Sequence, residues 1–182
     1  MNHSKNSFTI YDMCTIAIFT AIISVLAQIA IPMPSGVPFT LQTFAITLTA
    51  VVLGAKKGAV AVLIYLLIGA VGVPVFTNFR GGLQAFVGPT GGFLLSFPVM
   101  TFLIGFGAEK REIKWFYPLM LILGTIVNYI VGIILYCFVM SSTVSTAFFA
   151  CVLPFIPSTI ITSILASMLG FKIKKRLRLG SL

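Results

Sequence analysis

The sequence predicts an all-α integral membrane protein: a compact six-transmembrane-helix bundle, both termini cytoplasmic, with a glycine-rich outer loop capping a pocket. Three observations predict it. Of the 182 residues, 59% are hydrophobic and 8% charged, and the mean hydropathy is +1.13; a soluble domain of this size needs far more surface charge. The apolar residues fall into runs separated by prolines, glycines and short charged clusters. Of the 12 lysines and arginines, all but Arg80 fall in segments that six crossings place on one side, and basic residues gather on the cytoplasmic side.

Residues 1–9 are polar, with Lys5, and are expected in the cytoplasm with little fixed structure. They lack the short apolar core and small-residue cleavage site of a signal peptide. Span one covers 10–31; Asp12 caps or flanks its start, and Pro32, Pro34 and Gly36 break its end. Span two covers 39–53, short of the ~20 residues a helix needs to cross the hydrocarbon. Either the preceding PMPSGVP segment dips into the protein or the helix stops below the outer surface, and irregular backbone at that depth needs protein or a wet cavity over it. Lys56 and Lys57 follow. Span three covers 58–73 and ends at Pro74. Span four, 93–107, precedes the charged run at 109–114. Span five covers 115–140, the polar link 141–146 follows, and span six covers 147–173 with Pro154 and Pro157 in its outer part. A basic tail, KIKKRLR, comes after it. Residues 1–182 are read as a single transmembrane domain with no room for a second globular one.

The charge pattern excludes several function classes. The basic residues sit at loop ends, which fits anionic headgroups at the inner leaflet and not nucleic acid. Cys14, Cys137 and Cys151 are scattered, with no C-x-x-C spacing, and read as small apolar residues. The acids are Asp12, Glu109 and Glu112, all at the cytoplasmic edge, and the one histidine, His3, is in the tail. No intramembrane carboxylate pair or activating histidine exists for catalysis, and no ligand set for a metal. No enzyme activity and no cofactor are expected. GPTGGF lacks the Lys-Ser/Thr of a phosphate loop, so any uphill transport must draw energy from another subunit. The halves show no inverted repeat, which counts against a self-sufficient secondary transporter.

Binding remains. The loop TNFRGGLQAFVGPTGGF, residues 77–93, holds Gly81, Gly82, Gly88, Pro89, Gly91 and Gly92, which let backbone come close to a bound molecule. Arg80 has two readings: an outer-surface arginine meeting headgroups or water, or the partner of an anionic substrate group, since guanidinium grips carboxylate in a bidentate way. Asn78, Gln84 and Thr90 add donors and acceptors suited to an amide or ureido group. Gln42, next to Thr43, makes either a helix–helix hydrogen bond or a ligand contact, and Asn128 and Tyr129 share that ambiguity. Thr159 and Thr162 either bond their own helix or meet ligand. Phe39, Phe79, Phe86 and Phe93 supply an apolar wall or pack against lipid.

VPVFTNFRGGLQAFVGPTGGFLLSF, with VPFTLQTFAITLTAVVLGAKKGAVAVLIYLLIGAVGVP before it, resembles the BioY family, the biotin-binding S components of energy-coupling factor (ECF) transporters. The resemblance covers nearly the whole chain and is densest from Pro38 to Gly105. It implies a six-helix subunit in a prokaryotic cell membrane that captures vitamin from outside. Such a subunit docks on a transmembrane T component driven by two ATPases. The family's Ala-x-x-x-Ala docking face on helix one is matched by Ala17 and Ala21, with Ser24 close to it. One departure stands out: after the Phe155-Ile156-Pro157 turn the family carries an Asp and, three residues on, a Lys, where this chain has Thr159 and Thr162. Either Arg80 takes over the carboxylate while threonines and Gln42 meet the ring, or the substrate is another carboxylated precursor such as lipoate. From a different class, a membrane assembly protein without ligand remains the rival.

Overall fold

The computed structural model describes residues 9–177; the readings of residues 1–8, with His3 and Lys5, and of Arg178 lie outside them. Six α-helices account for most of it: α1 (Ile10–Leu26), α2 (Gln42–Ala70), α3 (Gly91–Glu109), α4 (Phe116–Met140), α5 (Val144–Cys151) and α6 (Ile156–Leu177). A two-residue antiparallel pair, β1 (Ala30–Ile31) and β2 (Phe39–Thr40), closes the segment between α1 and α2. Four of the helical stretches are long and apolar enough to cross a membrane: Gln42–Ala70, Gly91–Glu109, Phe116–Met140 and Val144–Leu177.

α1 begins with a capping box, Thr9 Oγ1 accepting from the Asp12 amide and Asp12 Oδ2 from the Thr9 amide. It stops at Leu26, short of the expected Ile31. Nothing in the local sequence breaks it there. Ala30 and Ile31 pair instead with Thr40 and Phe39, so a tertiary ladder overrides an apolar run that suits a helix.

α2 is one helical run only by its hydrogen bonds. Gly54 sits at φ +80°, ψ −173°, open in practice to glycine alone, and there the chain doubles back. A Cβ on Gly58 would lie 3.4 Å from the Ala50 Cα, whereas a straight helix sets residues eight apart about 12 Å from each other. The reversal occupies a single residue, so Lys56 and Lys57 lie in the first turn of the second limb and not in a loop. Glu109 Oε1, at the end of α3, accepts from the Ala55 amide at 2.8 Å and caps that limb. Lys57 Nζ meets Asp12 Oδ1 at 2.5 Å, tying the same turn to the start of α1.

α3 starts at Gly91, ahead of the expected Phe93, and packs along α4 through small residues. A Cβ on Gly92 would run into the Val131 carbonyl and Gly132, and the Phe93 ring occupies the notch at Gly132. The expected sixth span is two helices. Around Val152 (φ −120°, ψ −57°) α5 gives way to a single 3₁₀ turn at Leu153–Phe155. Pro154 and Pro157 have no amide to donate and so sit in the first turns after the break. α6 then packs on the first limb of α2, with Gly170 against Val51 and Leu48. The central core gathers Ile23, Ile46, Val62, Tyr65, Phe97, Met100 and Ile104 between α1, α2 and α3.

Candidate functional site

At the end of the bundle away from Gly54 lies a cavity of about 720 Å³, within the range of small-molecule sites. Its wall is built from the segment between α1 and α2, the loop after α2, the starts of α3 and α6, and the middle of α4. Pro32, Met33, Gly36, Val37 and Pro38 all line it, so the PMPSGVP segment does fold onto the protein. Tyr136 of α4 holds that segment by donating to the Ser35 carbonyl at 3.0 Å. Phe39 and Phe155, stacked with ring centroids 6.2 Å apart, and Phe76, Phe93 and Phe97 supply the apolar surface.

Among the polar groups at the wall, Gln42 donates through Nε2 to the Tyr65 hydroxyl at 2.7 Å. This is a helix–helix hydrogen bond of the kind its sequence position admitted, here between the two limbs of α2, yet its Oε1 accepts nothing among the described residues. Asn128 is alike: Nδ2 donates to the Phe93 carbonyl at 3.0 Å and to Ser96 Oγ at 2.8 Å, crossing from α4 to α3. Its Oδ1 likewise has no partner among the described residues. Two carboxamides are therefore held by their nitrogens while their oxygens stay free. Tyr129 and Thr159 share a 2.7 Å hydrogen bond between α4 and α6. Thr162 donates to the Ser158 carbonyl of its own helix at 2.8 Å, leaving its oxygen only as an acceptor.

Arg80, Asn78, Gly81, Gln84, Gly88, Pro89 and Thr90 lie along the lining, as do Thr43 and Phe79. Arg80 is exposed at the mouth. Its backbone exchanges two hydrogen bonds with Phe76 (2.9 and 3.2 Å), and its guanidinium has no ion pair among the described residues, where the salt bridge is Lys57–Asp12. Gln84 turns back to donate to the Gly81 carbonyl at 3.3 Å. Gly82, Gly91, Gly92 and Phe86 are outside the lining. Gly82 (φ +91°) donates its amide to the Gly69 carbonyl at 2.7 Å, Gly91 abuts the Phe86 carbonyl, and Gly92 abuts α4. Gly91 and Gly92 serve close packing, and Gly82 supplies the positive φ of its turn. Ala17 and Ala21 are exposed on α1, apart from the cavity.

Sequence reasoning missed Ser158, Cys151 and Thr40 in the lining, and Tyr65 as the partner of Gln42. It also missed Gln28. Its side chain accepts from the Phe79 amide and donates to the Val75 carbonyl, both at 2.9 Å. A carboxamide closing an apolar run was the available signal.

The BioY family model matches residues 1–179. The chain belongs to the BioY family. Over 161 residues, 87% of this BioY-family chain and 92% of the relative, it is 42% identical to the biotin transporter BioY of Thermotoga maritima. It is 38% identical over 169 residues, 92% of each chain, to the biotin transporter BioY2 of Lactococcus lactis subsp. cremoris. It superposes with TM-score 0.83 and 30% identity, over 96% of this chain and 95% of the other, on a crystal structure of the S-component for biotin from an ECF-type ABC transporter. The BioY-family chain is therefore a multi-pass membrane protein with an S-component fold, from a family of transporters and not of enzymes.

Proposed function

We propose that the chain is the biotin-binding S component of an ECF-type importer. It takes biotin from outside a prokaryotic cell and delivers it to a T component energised by two ATPase subunits. The observation that carries this reading is the cavity's open valences in a chain of this family: an aromatic wall and, among the described residues, two carboxamide oxygens without partners and one guanidinium without a carboxylate. Biotin offers the complements. Its carboxylate suits Arg80, its ureido N–H groups suit Gln42 Oε1 and Asn128 Oδ1, and its ring and chain suit the phenylalanines. Asn78, Gln84 and Thr90 at the mouth, with the backbone at Gly81, Gly88 and Pro89, complete the site. Thr159 and Thr162 stand in for the charged pair of other family members, with Tyr129 bracing the first.

We take α1, the two limbs of α2, α3, α4 and the α5–α6 pair as the six spans, which sets both termini in the cytoplasm of the plasma membrane. The clusters Lys56–Lys57, Lys110–Arg111–Lys114 and Lys172–Arg176 then share the cytoplasmic side, and the cavity opens outward. The exposed Ala17 and Ala21 form the face for the T component, small residues that let helices approach closely. Ala17→Trp is expected to spare biotin binding while abolishing ATP-driven uptake in cells; loss of binding would assign that position to the fold.

A second reading keeps the scaffold and changes the ligand. The missing charges at Thr159 and Thr162 favour a less polar ring, as in lipoate. Titration of the purified protein with biotin and with lipoate, alongside mass spectrometry of any co-purified small molecule, decides between them. Tighter binding of biotin is expected. Tighter lipoate moves the specificity, and binding of no vitamin leaves a membrane assembly protein.

A further inference from the structure

The turn that carries Asn78 and Arg80 has a backbone its own sequence disfavours. Asn78 (φ 60°) and Phe79 (φ 55°) are consecutive left-handed residues. Asparagine tolerates that region; a phenylalanine rarely does. Packing of the ring does not hold Phe79 there, because the residue is 72% exposed. Two backbone hydrogen bonds between Phe76 and Arg80 close the turn, and Gln28, in the turn that follows α1, clamps it. Gln28 Oε1 accepts from the Phe79 amide at 2.9 Å, and its Nε2 donates to the Val75 carbonyl at 2.9 Å, so one planar group spans both ends of the turn. A further bond from Nε2 to the Ser24 carbonyl, at 3.2 Å, orients the amide. Gln28 itself does not line the cavity, while Phe79 and its two chain neighbours, Asn78 and Arg80, do.

We infer that Gln28 is a positioning residue for the substrate: it fixes the strained turn so that Asn78 and Arg80 face the ligand, and it sets affinity without touching the ligand. This rests on the biotin-site reading above. Without the carboxamide, Phe79 relaxes toward negative φ and the backbone of Arg80, the next residue, is displaced. A residue at 79 that accepts positive φ makes Gln28 dispensable. A residue that merely braces the fold has no such dependence.

The test is biotin titration by calorimetry, with thermal unfolding in parallel, on the wild type, Gln28→Leu, Phe79→Asn and the double variant. Gln28→Leu is expected to weaken binding roughly tenfold, the effect of losing about one net hydrogen bond's worth of preorganisation. In the Phe79→Asn background, measured against its own baseline, the same change is expected to cost less than about twofold. Unchanged affinity in Gln28→Leu, or an equal loss in both backgrounds, overturns the inference alone. A wild-type chain that does not bind biotin overturns it together with the reading it rests on.

Discussion

The two ends of the bundle treat their polar groups in opposite ways. At the Gly54 end several charged groups are tied into the fold. Asp12 closes the capping box with Thr9 and takes Lys57 as its ion-pair partner, Glu109 caps the second limb of α2, and Arg111 lies over the Phe171 ring at 4.1 Å. At the cavity end, among the described residues, Arg80 has no carboxylate, the oxygens of Gln42 and Asn128 have no donors, and three non-glycine residues, Asn78, Phe79 and Ser141, sit in left-handed backbone. Unmet hydrogen-bonding capacity is costly in an apolar surround. Gln42, Asn128 and Arg80 all line one cavity, which makes it the candidate place for an outside molecule to meet their open valences. On the proposed reading, one end braces the fold and the other presents its polar groups to the ligand.

Substitutions separate the two ends by what they change. The largest effect is expected from Gly54→Ala, which puts a side chain in a glycine-only conformation and against Glu109. A loss of about 3 kcal/mol of stability should follow, read as a fall in Tm, while the folded fraction keeps its affinity for biotin. Next is Arg80→Gln, expected to weaken biotin binding by about 2 kcal/mol, the scale of a hydrogen bond to a charged group, and to leave Tm unchanged. The smallest is Glu109→Ala, at about 1 kcal/mol of stability from the lost cap, again with unchanged affinity. An affinity loss from Glu109→Ala, or a Tm loss from Arg80→Gln, would break the division.

Much of this was legible in the sequence, and the misses have physical causes. Apolar runs and the charged run at 109–114 located most of the helices, although Pro98 lies inside α3 without ending it. The end of α1 was not legible: Ile29, Ala30 and Ile31 suit a helix, and only pairing with Phe39 and Thr40 takes them out of one. Gly54 was obscured by Lys56 and Lys57, which suggested a longer loop than one glycine requires. In the site, the polar residues at 78, 80, 84 and 90 stood out because they interrupt an apolar sequence. Gly91 and Gly92 lie outside the lining: glycine signals close approach without naming the partner, here the Phe86 carbonyl for the first and α4 for the second. The Gln42–Tyr65 and Gln28–Phe79 bonds join residues 23 and 51 positions apart, a pairing no local pattern encodes.

The most direct test of Arg80 as the ionic anchor of the cavity is one calorimetric comparison: biotin against biotin methyl ester, titrated into the wild type and into Arg80→Gln. The account predicts that the wild type prefers the free acid roughly tenfold or more and that Arg80→Gln binds the two alike. A preference for the acid that survives unchanged in Arg80→Gln would place the carboxylate elsewhere and contradict it.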